Sequence, residues 1–250
     1  MELVSLILTT FNCKDNLKIT LESVESQDYP NLEVVIKDGG SSDGTVGIIK
    51  EYEKSSRFTV KWTSMSDEGP YDAMNQGLSL STGAVIFLFN GRFMGNDVVS
   101  RCVQKMEQEK TDGVHGDLVY TEDGVVKRYW KMGEGRIRNG WMPGHPTLFL
   151  RREIYERYGN YDGSYKGSAD FEFMVRILKD GKVELSYIPE ILAEMYYDRS
   201  DMKGTGVYGV SIRESYRALT DNRIRFAWWV VFLRIIRTVP QFFLKPKVDK

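Results

Sequence analysis

Short apolar runs and amphipathic stretches alternate over roughly the first 110 residues, and this alternation restricts the fold more than any other feature of the chain. Leu3–Thr9, Leu32–Lys37, Val60–Thr63 and Ala84–Phe89 are predicted strands. Helices are predicted from Leu17, Leu21 and Val24, with Asp15 as a cap, and over Val46–Tyr52 and Tyr71–Leu80. Val99, Cys102, Val103 and Met106 give the buried face of one more. Strand–helix alternation implies an α/β fold with parallel pairing and helices on both faces of the sheet. Ligands of such folds bind beyond the carboxyl ends of the strands. The polar clusters Thr9–Asn12, Asp38–Thr45 and Asn90–Arg92 all fall there.

The second half changes character. Val114–Tyr120 and Val125–Trp130 predict a hairpin around Glu122-Asp123-Gly124, followed by a Gly-rich polar stretch, Gly133–Gly144. Ala169–Lys179 reads as a helix, Val183–Ile188 as a strand and Val207–Leu219 as a helix. With no internal repeat or long linker, one domain is expected over residues 1–222, with halves 1–110 and 111–222, and a separate segment over 223–250. At 250 residues and 42% hydrophobic content the chain can bury a sizeable core. A net charge of -1 disfavours nucleic acid as a partner. Cys13 and Cys102 show neither metal spacing nor a disulfide framework; Cys102 reads as core packing. The opening Met-Glu-Leu-Val-Ser-Leu-Ile-Leu reads directly as a strand, without a basic n-region or cleavage site, so a cytosolic domain is expected.

Two motifs carry chemistry. Asp38-Gly39-Gly40-Ser41-Ser42-Asp43-Gly44-Thr45 joins a strand to a helix; Asp38 is placed to accept the imide N–H of a uracil or thymine base, or the segment is an ordinary βα turn. In Ser66–Gly77, Pro70 fits the first helical position and Asp67 or Glu68 lies near the positive helix end. Asp72 and Asn75 are one turn apart and can face one ligand; the alternative is that the acids cap the helix.

Thr9-Thr10-Phe11-Asn12, the Asp38–Thr45 segment, Asp67–Gly77 and Ala169-Asp170-Phe171-Glu172 follow the order and spacing seen in family 2 glycosyltransferases. Gly144-His145-Pro146-Thr147-Leu148-Phe149-Leu150-Arg151 resembles that family's acceptor-side strand, and the resemblance spans about residues 1–195. It implies a GT-A type fold, Rossmann-like, and inverting transfer from a nucleotide-sugar donor to a glycan or lipid-linked acceptor in bacterial surface polysaccharide synthesis. By position, Thr9, Phe11 and Asp38 hold the nucleoside; Asp67, Tyr71, Asp72 and Asn75 line the donor pocket; and Asp170 is the general base, or else caps its helix. His145 faces donor phosphate or acceptor, ligates a metal, or is a packed loop histidine; His115 receives no role.

The resemblance also implies a divalent cation, Mn or Mg, bound by acids at the end of the fourth strand. This chain has Asn90-Gly91-Arg92-Phe93 there, so the metal ligands stay unassigned and Arg92 becomes a candidate to neutralise phosphate directly. The same departure leaves a second reading, a non-catalytic nucleotide-sugar-binding or scaffold homologue. The C-terminal run Phe226–Leu233, interrupted by Arg234 and Arg237 and broken at Pro240, is too charged for a spanning helix. An amphipathic helix lying in the headgroup plane of the inner membrane face is expected, or one packed on protein.

Overall fold

The computed structural model describes residues 1–196 and 205–246. Four strands, β1 (Val4–Thr10), β2 (Leu32–Asp38), β3 (Thr59–Ser64) and β4 (Val85–Phe89), are joined by three helices, α1 (Lys14–Glu25), α2 (Thr45–Ser55) and α3 (Pro70–Leu80). They pair in parallel in the order β3-β2-β1-β4. Strands covered on both faces favour apolar residues at successive positions, which is why β4 is apolar throughout and β1 and β2 are apolar runs interrupted only by Ser5, Glu33 and Lys37 before their polar ends. Leu6 and Leu8 point to one core with α1, α2 and α4 (Val98–Glu109), whereas Ile7 points to the other with α3. Gly77 lets α3 approach β1, since a Cβ there would collide with the Ile7 side chain.

Beyond β4 the sheet becomes mixed, continuing β4-β8-β6-β9-β5. The added strands are β5 (Arg92–Phe93), β6 (Gly113–Glu122), β7 (Val125–Trp130), β8 (Phe149–Arg151) and β9 (Leu185–Tyr196), with β7 pairing β6 as the expected hairpin. Asp123 and Gly124 take left-handed φ at its turn. The second core lies under α5 (Arg152–Tyr158), α6 (Ala169–Leu178), α7 (Thr205–Asp221) and α8 (Ala227–Thr238). Residues 247–250 of the expected C-terminal segment lie outside the described residues.

Four local expectations are corrected. Asp15 sits inside the first turn of α1 and makes no cap; Asp43 and Thr45 accept the Lys14 and Cys13 N–H groups instead. The stretch read as polar over Gly133–Gly144 buries Ile137, Trp141 and Met142. The segment Gly144–Arg151, compared with an acceptor-side strand, opens with a short helical turn over His145–Thr147 and is strand only over Phe149–Arg151. Strand β9 runs eight residues past Ile188, because a register irregularity opposite Gly116 and Asp117 accommodates Pro189, which has no N–H to donate.

Charged Glu33 is 2% exposed inside β2 and fastens three elements together. Its carboxylate accepts Ser5 Oγ of β1 at 2.5 Å, Lys61 Nζ of β3 at 2.7 Å, Thr82 Oγ1 at 2.8 Å and the Gly83 N–H at 3.1 Å. Burial alone would raise its pKa, but these donors outweigh burial and hold it at about 2, against an ordinary 4.5. Glu33→Ala is therefore expected to cost about 3 kcal/mol at neutral pH, because the donors lose their acceptor. A depressed folded-state pKa contributes stability above the unfolded value and loses it as pH falls through the folded one. The wild-type advantage should shrink between pH 4.5 and 2, as checked by urea unfolding across that window.

Candidate active site

The carboxyl ends of β1, β2 and β4 and the start of α3 enclose an open cavity of about 620 Å³, lined by Thr9, Thr10, Phe11, Gly39, Asp67, Pro70 and Asn90 among others. Phe11 is 64% exposed at its rim, an unusual position for a large apolar ring and a suitable face for stacking a planar base. Asn90 fixes the floor: its Oδ1 accepts the Thr9 N–H at 3.2 Å and its Nδ2 donates to Thr9 Oγ1 at 2.9 Å.

Asp38 lies behind this wall with no exposed surface. Its carboxylate accepts the Gly40 and Ser41 N–H groups at 3.0 and 2.9 Å, and the hydroxyls of Thr10, Ser41 and Ser64. Burial pushes its pKa up and these five donors pull it further down, for a net lowering. In this arrangement Asp38 shapes the glycine loop, and its oxygens are engaged within the protein. Asp67 reaches the cavity while Lys37 Nζ holds its Oδ2 at 2.8 Å and the Gly69 N–H donates to its Oδ1 at 3.1 Å. Lys37 is fully buried and was not singled out from the sequence; a lysine inside an apolar run was the available signal.

From α3 the hydrogen bonds continue to α6. Tyr71 donates its hydroxyl to Asp170 Oδ1 at 3.0 Å, and His145 Nδ1 lies 3.8 Å from Asp170 Oδ2. Asp170 is in the first turn of α6 and does not cap it; Glu172 and Arg176 of the same helix pair at 2.7 Å. Burial opposes ionisation of Asp170, but His145, Arg234 and the Tyr71 hydroxyl prevail and hold its pKa at about 2. Its carboxylate is therefore charged at neutral pH and is held from α3 by Tyr71.

Asp72 and Asn75 line a small adjoining cavity of about 90 Å³ with Tyr71. Asp72 accepts the Glu68 N–H and Gln76 Nε2, and Asn75 exchanges two hydrogen bonds with the backbone of Tyr161, so both side chains brace α3. Arg92 turns to Glu194 of β9, to which its Nε and Nη2 both donate. His115 is buried between the Trp141 and Tyr187 rings. The residues at the end of β4 do not fit a divalent cation: Asn90 is committed to Thr9 and Arg92 to Glu194. Among the described residues no group of three or more His, Cys, Asp or Glu is placed to hold one.

Residues 5–169 match the family described as Glycosyl transferase family 2, and the chain belongs to that family. It is a glycosyltransferase with an α/β fold of the GT-A type. An uncharacterized glycosyltransferase of Mycobacterium tuberculosis is 29% identical over 69% of this chain and 68% of its own length. The Escherichia coli UDP-Glc:alpha-D-GlcNAc-diphosphoundecaprenol beta-1,3-glucosyltransferase WfaP is 29% identical over 72% of each chain. Among solved structures, Staphylococcus aureus TarS aligns with a TM-score of 0.70 at 17% identity, covering 99% of this chain and 46% of that one. Its 1–349 form in complex with UDP-GlcNAc aligns with a TM-score of 0.73 at 15% identity, over 94% of this chain and 72% of that one.

Proposed function

We propose that the enzyme moves a sugar from a nucleoside-diphosphate donor to a hydroxyl of a lipid-linked glycan at the inner membrane face, with inversion, in surface polysaccharide synthesis. The observation that carries this reading is the Asp170 carboxylate, held by Tyr71, whose chain neighbour Pro70 lines the Phe11–Asp67 cavity. The acceptor oxygen attacks the anomeric carbon as its proton passes to Asp170. The bond to the phosphate oxygen breaks, and the nucleoside diphosphate leaves with the electron pair. A carboxylate with a pKa of about 2 is a weak base on its own, so the proton moves as the new C–O bond forms and acidifies the hydroxyl. Phe11 stacks on the base, Thr9 and Asp67 line the donor, and His145 steadies Asp170. Arg92, oriented by Glu194, lends positive charge to the departing diphosphate.

Membrane residence rests on α8 and the turn after it. Trp228, Trp229, Phe232, Ile235, Ile236, Phe242 and Phe243 are exposed, with Arg223, Arg225, Arg237 and Lys245 around them. No acid occurs between Asn222 and Pro246. That composition suits anionic headgroups over an apolar boundary. No helix among the described residues is long and apolar enough to cross a membrane.

Three outcomes are expected. Asp170→Asn should keep nucleotide-sugar binding, measured by calorimetry, while turnover falls by about 10²–10⁴; unchanged turnover in the folded variant removes Asp170 from the chemistry. Transfer should persist in excess EDTA, and restoration by manganese of a chelator-sensitive activity would show that the cation uses ligands other than those at β4. Trp228→Ser combined with Phe232→Ser should weaken sedimentation with anionic vesicles by about tenfold at unchanged thermal midpoint. A double variant that still sediments places the anchor elsewhere.

A further inference from the structure

Two arginines on the α8 side of Asp170, Arg234 and Arg128, form no ion pair with a carboxylate among the described residues. Arg234, on α8, lays its guanidinium 3.9 Å over the ring of Phe171, the neighbour of Asp170. Its one polar side-chain partner among the described residues is the Met142 sulfur, a weak acceptor. Gly140 allows this closeness: it has φ +69°, and a Cβ there would press on the Arg234 backbone. Arg128, on β7, lies over the rings of Tyr120 at 4.9 Å, Trp130 at 5.1 Å and Phe242 at 5.6 Å, and donates Nε to Gln241 Oε1 at 2.7 Å. Neither guanidinium meets a carboxylate within ion-pair distance among the described residues. Burial and the proximity of Arg128 both disfavour the charge on Arg234, with Asp170 acting against them.

Two half-buried cations of like sign, each flattened on aromatic rings, make a poor structural element and a good anion site. A stacked guanidinium keeps its N–H fork available for phosphate oxygens, and two forks match the spread charge of a diphosphate. Their position sets the order of groups in any ligand that reaches the base. Asp170 acts on the charge of Arg234, Arg128 is close enough to Arg234 to oppose that charge, and Arg128 in turn lies over Phe242, which is exposed like the aromatic face of α8. We propose that Arg128 and Arg234 dock the diphosphate of a prenyl-diphosphate-linked acceptor, with its sugar at Asp170 and its hydrocarbon chain leaving over Phe242 into the bilayer. This rests on the glycosyltransferase reading above and names the acceptor class for the same site. The arginines position the acceptor and take no part in bond making.

The test is equilibrium binding to the full chain, with saturating UDP present to fill the donor cavity. Geranylgeranyl diphosphate in detergent micelles is compared with geranylgeraniol and with inorganic pyrophosphate. The diphosphate lipid should bind at least about tenfold more tightly than the alcohol. Arg128→Gln and Arg234→Gln should each remove most of that difference and leave alcohol binding unchanged, with Arg234→Lys intermediate. Equal binding of diphosphate and alcohol, or folded Gln variants that bind the diphosphate as the wild type does, overturns the proposal. Pyrophosphate binding as tightly as the lipid makes this a free-phosphate site and overturns the lipid-linked form. Arg128→Gln decides the matter alone if Arg234→Gln does not fold. UDP binding is read in the same samples: its absence would sink the nucleotide-sugar reading, and the comparison of lipids without UDP would still decide the arginine site.

Discussion

A single buried ammonium organises the donor side of this protein. Lys37 has no exposed surface, and burying its charge would be strongly unfavourable without full compensation. Compensation comes from three acceptors, each at 2.8 Å: the carbonyls of Asp38 and Met65 and the carboxylate of Asp67. Those three donors tie the end of β2 to the segment leaving β3 and to the residue that introduces α3. Asp67 then receives the Gly69 N–H, which sets the chain entering Pro70, and Tyr71 follows within one turn to grip Asp170. Because a lysine ammonium has three N–H donors, Asp67 cannot swing away without leaving one unsatisfied in a dry site. Asp170, the proposed base, is thus linked through α3 to the Lys37–Asp67 ion pair beside the cavity.

The glycine loop is held in a comparable way from within. Asp38 gathers five donors from β1, β3 and its own loop, while Asn12, Asp43 and Thr45 stitch that loop to the start of α1. Sequence spacing located this loop at a strand end and left its carboxylate either to a base N–H or to an ordinary βα turn. Burial depth, which decides between the two roles, depends on where Ser64 and Thr10 arrive from other strands. Asn75 and Asp72 illustrate the same limit. Their helical spacing put them on one face, and the partners that engage them, Tyr161 and Glu68, belong to backbone that no periodicity reveals.

What was legible followed from short-range pattern: the four parallel strands, their helices, the hairpin and the helix carrying Asp170. What was hidden depended on long-range pairing. Glu33 and Lys37 stand out in an apolar run, yet only the arrival of Lys61, Thr82 and Asp67 explains why charge is tolerated there. Strand β9 continues beyond the Val183–Ile188 run because its irregular register with β6 accommodates Pro189, a residue that normally ends pairing. The placement of Arg92 against Glu194 is of the same kind, since the two residues lie 102 positions apart.

The C-terminal helix joins the two themes. Ala227, Val230, Val231 and Arg234 recur at i, i+3, i+4 and i+7, so Arg234 continues the stripe that packs on the core. The residues between them, Trp228, Phe232, Ile235 and Ile236, occupy the outer face. An arginine on an inner apolar stripe is tolerated because Phe171 supplies a ring for its charge, and Phe171 is fixed by its place beside Asp170 on α6. One rigid helix therefore carries both the exposed apolar face and a cation beside the base, with the separation between them set by the helix diameter of about 10 Å. Displacing α8 through its aromatic side would carry Arg234 with it, so in the proposed reading occupation of the outer face is coupled to the acceptor geometry at Asp170.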